Sequence, residues 1–518
     1  MQNMHTRIDF NDFENLDLDE SPKFKIVLSK SNNLSDETML DCKKQLEAQA
    51  NPNVEIFLRL DQDLLAVDNV RSLEVLVHAP VRFDPKFLDY IRIVFVETDT
   101  AVLYSDFKFE NNGVIEGIKL PAWSPIRYES IDYLGPVIVV DLDKLQLDPN
   151  NPKSRQSVFQ KSQENRTRIS RLPRYSYTCE MWKTSIKPLE TTSTQPNLIS
   201  IIIPTQGLPD ENSSLLERCL NSVAKQKLDS NIEVIVVADA CFELEVIRKS
   251  QELLPTNWTF KLIEFTEPFN FSRKCNLGAA EANGCVLLFL NDDVELVTED
   301  VVTKLADISL RDGVGAVGSQ LKFYDGSIQH AGITLQDVKP RNSFLDQLPH
   351  STLTGDLEVS HEVSAVTGAC LVTSRSNFDM CGGWNEDLHN SYNDVDLCLR
   401  LNQMGLQTVM RNDLDVLHHE SVTRDAGFDE GSFAKLKSLW PADLGNEQYL
   451  RSPEALGIGY QGIWGINKDL RVELSGKYFQ YLLHLLKTRG VIRNIEAFSR
   501  RISGKTSNLL RSESKSYL

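Results

Sequence analysis

Asp292, Asp293 and Glu295 follow directly on an apolar run in VLLFLNDDVEL, residues 286–296. A lone acid at such a place starts a turn or caps a helix and usually does nothing else. Adjacent carboxylates repel one another, and a fold tolerates them best with a cation beside them. Hard oxygen ligands with few other partners suit Mg²⁺ or Mn²⁺, ions that complete their shells with substrate phosphates. A nucleoside diphosphate is the matching substrate class. G-x-x-x-x-G-K-[ST] does not occur in the chain, and the G-x-G-x-x-G matches, GVGAVG at 313–318 and GIGYQG at 457–462, do not stand between a strand run and a helical pattern, so a P-loop or dinucleotide-binding fold has no support.

The elements around these acids read as α/β. LISIIIPT (198–205) and NIEVIVVAD (231–239) are β-branched runs flanking the amphipathic SSLLERCLNSVAKQ, which makes a βαβ unit and calls for parallel strands. FKLIEF continues as a strand, SRKCNLGAAEAN as a helix opened by Ser272, and CVLLFL as a fully buried strand. GVGAVG (313–318) reads as the end of a helix running into a strand. In open α/β sheets ligands bind beyond the carboxyl ends of the strands, and Asp239 ends its strand on the same edge as Asp292 and Asp293. VSAVTGACLVTS reads as a strand. YNDVDLCLRLNQMG reads as a helix with Asp394 near its N-terminus, and LQTVMRNDLDVLHHES as a strand and loop carrying His418 and His419.

Composition sets the class. The 518 residues exceed one core, and 41% hydrophobic with 25% charged residues is ordinary for a soluble globular chain. The nine cysteines form no C-x-x-C pair, so neither a disulfide framework nor a zinc site is expected. A net charge of −18 argues against a nucleic-acid partner. No apolar run is long enough for a membrane span and no signal-peptide core opens the chain, so a cytoplasmic location is expected. From Lys468 to Leu518 there are 11 Lys+Arg against 4 Asp+Glu, a surplus of +7. Apolar and basic residues alternate there at near-helical spacing. This tail is either a solvated helix on its own domain or a peripheral membrane contact through residues 470–505 at the inner face of the cytoplasmic membrane.

From about residue 197 to 430 the chain resembles a family 2 glycosyltransferase of the GT-A fold, in particular the rhamnosyltransferase-like enzymes of bacterial O-antigen and lipopolysaccharide assembly. The resemblance rests on ISIIIPT, PFNFSRKCNLGAAEANG, LLFLNDDVEL, GAVGSQLKFYDGSIQHAG, SAVTGACLV, GGWNED, YNDVDLCLRLNQMG and LHHESVTRD, in that order. It implies a Rossmann-like mixed sheet with helices on both faces. It also implies that Thr205, Asp239, Arg273, Asn276 and Asp292 bind the nucleotide sugar and that Asp293 and His418 hold Mg²⁺ or Mn²⁺, with His419 an open alternative to His418. Asp394 is implied as the general base of an inverting transfer. Placed near a helix N-terminus, it should stay ionised and able to take a proton. Trp384 and Glu386 match an acceptor-side loop, although core packing suits Trp384 equally. His330 has no implied role, and Glu295 reads as structural.

Upstream, residues 22–182 resemble a second, degenerate GT-A-like domain, with His78, Pro80 and Val81 where metal-binding aspartates would stand and Asp106 kept in YSDFK. The expected organisation is a flexible acidic N-terminus (1–21), the degenerate domain (22–182), a Thr/Ser/Pro-rich linker (183–197), the catalytic domain (198–430) and a C-terminal extension (431–518). The donor implied is dTDP-rhamnose, with UDP-sugars open, and the acceptor a lipid-linked oligosaccharide. The rival reading is an inactive scaffold or carbohydrate-binding protein of the same pathway.

Overall fold

The computed structural model describes residues 23–450 and 455, less the segments 31–33, 51, 60–69, 112, 148–153, 183, 191–195, 207–214, 229, 241–249, 337–338, 353 and 420–428. The acidic stretch 1–21 and the basic helix expected at 470–505 lie outside the described residues. Among the described residues no helix is long and apolar enough to cross a membrane. Every described cysteine is free, and most are buried.

Two sheets repeat one topology. The first contains β1 (Phe24–Lys30), β2 (Val54–Leu58), β3 (Arg71–Val77), β4 (Thr100–Ser105), β5 (Val137–Asp141) and β6 (Arg168–Leu172), in the order β2-β1-β3-β5-β4-β6. The second contains β7 (Leu198–Thr205), β8 (Asn231–Asp239), β9 (Thr259–Phe265), β10 (Val286–Leu290), β11 (Val294–Leu296), β12 (Val314–Lys322), β13 (Ile328–His330), β14 (His361–Val363), β15 (Cys370–Ser374) and β16 (Gln407–His418). Its order is β9-β8-β7-β10-β15-β12-β16-β11, with β13 beside β12 and β14 beside β16. In each sheet one strand, β5 or β15, runs antiparallel between two strands that are parallel to one another, and in the second sheet the short β11, β13 and β14 also pair antiparallel. The sheet is therefore mixed, and the segment VSAVTGACLVTS yields only the five-residue antiparallel β15.

Burial follows from side-chain alternation. Along β10, Val286, Leu288 and Leu290 enter one core and Leu287 and Phe289 the core on the opposite face. Successive side chains leave a strand on opposite sides, so a continuous apolar run is what a strand covered on both faces requires. One face is covered by helices that include α1 (Leu215–Ala224), the other by α2 (Phe271–Glu281) and α3 (Asn393–Gln403). Asn270 caps α2, its side chain accepting from the Arg273 N–H, so the helix opens before Ser272 rather than at it.

The two sheets meet through buried charge. Arg127 of the first unit donates to Asp356 at 2.5 Å and to the Thr354 carbonyl at 2.9 Å, and both charged side chains are buried. Ser124 Oγ donates to Glu362 on β14, and the Ile126 N–H reaches the same carboxylate at 3.1 Å. β14 runs straight into residues 364–369, beside the acids of the second sheet.

Candidate active site

Parallel strands end on one edge, and the acids follow from that. Thr205 ends β7 and Asp239 ends β8, while Asn291, Asp292 and Asp293 leave the end of β10. Thr205 Oγ1 donates to Asp292 Oδ2. Burial lifts the pKa of Asp292 to about 6, with the Asp293 charge adding to the rise and the Thr205 hydroxyl and Lys274 opposing it.

The two histidines separate cleanly. β11 pairs antiparallel with β16, Val294 opposite His418, which brings the acids on either side of Val294 close to the two histidines. His418 Nε2 lies 3.1 Å from Asp293 Oδ1, and His419 Nε2 lies 2.7 Å from Glu295 Oε1. Glu295 is thus a hydrogen-bond partner as well as a strand residue. His418 Nδ1 sits 2.6 Å from Gln329 Oε1. With the carboxamide oxygen accepting, Nδ1 donates to Gln329, which leaves Nε2 as the ring atom turned to Asp293 and to any cation held there.

Among the described residues no three His, Cys, Asp or Glu side chains group as a self-sufficient metal cage. The donor set suits a cation that shares its shell with a ligand: Asp293 Oδ1, His418 Nε2 and the buried Asn291 Oδ1, which has no hydrogen-bond partner. Mg²⁺ or Mn²⁺ fits such a set, because these ions hold few protein groups and complete their shells with water and phosphate oxygens.

A residue missed in the sequence stands behind Asp239. Lys274 on α2 is almost fully buried, with Nζ 2.5 Å from Asp239 Oδ1 and 2.9 Å from the Thr205 carbonyl oxygen. The rings of Phe265 and Phe269 each lie 5.3 Å from the ammonium. Its signal was available: Phe271, Lys274, Cys275 and Gly278 form the inward stripe of the helix, and a lysine on that stripe must find an acid.

Asp394 lies in the first turn of α3, after Tyr392 at φ +62°. Its Oδ2 accepts from the Gly368 N–H at 3.1 Å and its Oδ1 from the Val395 N–H at 2.9 Å. Two backbone donors at a helix N-terminus favour the ionised carboxylate.

Three expectations change. Trp384 is 2% exposed and meets Phe271 and Phe289 edge-on, at ring distances of 5.7 and 5.1 Å, so it is core and offers no face to a sugar. The Asn276 side chain is turned to the 384–386 loop. Its amide donates to the Trp384 carbonyl at 2.9 Å and to Glu386 at 2.8 Å, while its oxygen accepts from the Trp384 N–H at 2.9 Å. Arg273 reaches Glu386 at 3.3 Å and Glu267 at 3.4 Å, so these side chains clasp the 384–386 loop to α2.

The first sheet lacks this constellation. His78 follows β3 as Asn291 follows β10, so Ala79 and Pro80, rather than the expected Pro80 and Val81, stand opposite Asp292 and Asp293. Asp106 is bound bidentately by Arg171 at 2.8 and 2.6 Å and accepts from the Leu120 N–H. Arg155 pairs with Asp132 at 2.8 Å, and burial first, then the Arg155 charge, pushes His78 down to about 4.

Residues 200–380 match the family described as Glycosyl transferase family 2. The chain is 32% identical over 240 residues to the uncharacterized protein y4gI of Sinorhizobium fredii, covering 46% of this chain and 26% of that protein. It is 33% identical over 233 residues to the O-antigen biosynthesis protein RfbC of Myxococcus xanthus, covering 44% of this chain and 18% of that one. The chain therefore spans about a quarter or less of these curated relatives. Among solved structures, GalNAc-T7 with UDP, GalNAc and Mn²⁺ matches at TM-score 0.39 and 15% identity over 52% of this chain and 50% of that one. The mannosyltransferase PcManGT from Pyrobaculum calidifontis in complex with GDP-Man and Mn²⁺ matches at TM-score 0.35 and 15% identity over 57% and 89%. The family match falls on the second sheet and takes in Thr205, Asp239, Asp292 and Asp293.

Proposed function

We propose that the chain is a divalent-metal-dependent, inverting glycosyltransferase that moves a sugar, rhamnose in the favoured reading, from a nucleoside-diphosphate sugar to a growing bacterial surface polysaccharide. The observation that carries this is that Asp239, Asp292, Asp293 and His418 stand at one edge of one sheet, with Asp394 tied to the adjoining Gly368. Asp293 and His418 would hold Mg²⁺ or Mn²⁺, which when bound neutralises the charge that builds on the departing diphosphate. Asp239, fixed by Lys274, faces the base, and Asp292 faces the ribose and diphosphate. Asp394 takes the proton of the acceptor hydroxyl as its oxygen attacks the anomeric carbon, and the bond to the diphosphate oxygen breaks on the opposite side. One displacement inverts that carbon.

dTDP-rhamnose is the favoured donor, on the likeness of the motifs to rhamnosyltransferase-like enzymes, and UDP-sugars are the alternative. A lipid-linked oligosaccharide at the inner face of the cytoplasmic membrane is the proposed acceptor. The first unit takes no part in the chemistry, since its Asp106 is committed to Arg171 and no acid pair follows β3. The deciding experiment screens nucleotide sugars for Mn²⁺- or Mg²⁺-dependent hydrolysis and transfer by the full chain. Turnover of one donor with inversion supports the reading; silence across dTDP-, UDP- and GDP-sugars with either ion overturns it.

A further inference from the structure

His330 ends β13 and is 1% exposed, outside the set of groups given roles above. Its Nε2 lies 3.2 Å from the backbone nitrogen of Thr367. A backbone N–H can only donate, so Nε2 accepts and the ring proton sits on Nδ1, 2.9 Å from Asn342 Oδ1. Burial keeps this ring neutral, its pKa pushed down to about 4, so the acceptor at Nε2 persists across the physiological range.

The residues after Thr367 each hold a different part of the site. The Gly368 N–H donates to Asp394 Oδ2 at 3.1 Å, and the Ala369 carbonyl accepts from the Asn291 N–H at 2.9 Å. The Ala369 N–H in turn folds back on Thr367 Oγ1 at 3.3 Å. Three consecutive residues thus join a histidine, the proposed base and the first residue of the metal motif. The segment has little freedom to shift: a methyl group added at Gly368 would stand 3.1 Å from Trp384 Cη2 and 3.6 Å from Asp394 Cβ.

We infer that His330 is a positioning residue: by accepting from the Thr367 N–H it sets the register of the strap 367–369, and so fixes Asp394 relative to Asn291, Asp292 and Asp293. This rests on the proposed role of Asp394 as base. Displacing a proton acceptor by about 1 Å costs on the order of 100-fold in rate while leaving ground-state contacts elsewhere intact. His330 therefore acts on turnover and leaves nucleotide binding alone.

The test compares His330→Gln with His330→Asn in the full chain. Glutamine can present its oxygen near the place of Nε2, whereas the shorter asparagine reaches only the place of Nδ1. Turnover is read with the nucleotide sugar that the wild-type chain hydrolyses or transfers, and Mn²⁺-dependent dTDP and UDP binding is read by calorimetry. Expected is a loss of roughly 10- to 100-fold in kcat for His330→Asn, recovered within a few-fold by His330→Gln, with KM and nucleoside-diphosphate affinity within about twofold in both. Equal turnover in the two variants, or a loss of nucleotide affinity that parallels the loss of turnover, overturns the inference. An Asp394→Asn chain with undiminished turnover would instead overturn the role of Asp394, which separates the two failures.

Discussion

His418 Nε2 and Asp293 Oδ1 face one another at 3.1 Å across the β11–β16 ladder, and Gln329 holds the other nitrogen of the same ring. The pairing chooses between two adjacent histidines, because His419 is spent on Glu295. Replacing His418 with Ala should weaken Mn²⁺ binding far more than replacing His419. Gln329→Ala should cost about tenfold in metal affinity through the ring it orients. Titration of Mn²⁺ followed by calorimetry compares the three variants; equal effects at 418 and 419 would remove His418 from the metal.

Asp394→Asn keeps the shape of the first turn of α3 and removes the proton acceptor. Turnover should fall by about 100-fold or more, with dTDP or UDP affinity unchanged. Steady-state kinetics and nucleotide calorimetry on the same preparation separate the two effects.

The elevated pKa of Asp292 gives a pH dependence with a definite sign. Folded, the group titrates near 6 against an ordinary 3.8, so its contribution to stability is fully present below about pH 4 and is lost as pH rises through 6. Cation binding runs the other way, since protonating Asp292 below about pH 6 removes a negative charge beside Asp293 and His418. Thr205→Val removes a hydrogen bond to the charged form, so the midpoint of Mn²⁺ binding should move to higher pH. An unmoved midpoint between pH 5 and 8 would show that the hydroxyl does not stabilise that charge.

Lys274→Met leaves Asp239 in a largely buried place without its cation. The chain should lose about 3 kcal/mol, the lower part of the range for breaking a buried pair, because Asp239 keeps some access to water. Urea unfolding measures it, and the double variant Lys274→Met, Asp239→Asn should recover part of the loss.

Arg127→Met breaks the contact between the two sheets and strands Asp356, whose carboxyl burial would otherwise neutralise and which Arg127 holds below the ordinary range. A loss of about 3–5 kcal/mol is expected. The unfolding transition should also split in two, as each sheet keeps its own core. A single unshifted transition in a denaturant melt would contradict this.

What the sequence disclosed follows from where its signals are local. Apolar runs ending in acid placed Asp239, Asp292 and Asp293 on one edge, because parallel strands must end together. The partners of half-buried polar groups were not legible. Asn276 and Arg273 sit on the right helix, but spacing along α2 does not say that they face the 384–386 loop. Trp384 could have been platform or core, and only the rings of Phe271 and Phe289 decide it. His330 meets Thr367 across 37 residues and Arg127 meets Asp356 across 229, separations at which no periodicity carries information.

The repeated strand order has a consequence for how each half is held together. In the first sheet the acids beyond the strand ends carry their own arginines, Asp106 with Arg171 and Asp132 with Arg155. Those acids need no cation from outside their own half. In the second, Asp292 and Asp293 stand side by side with a histidine and a hydroxyl for company, and a cation with its diphosphate would relieve their repulsion. Ligand should therefore act as a selective brace, raising the melting of one half of a twofold-built chain while leaving its twin where it was.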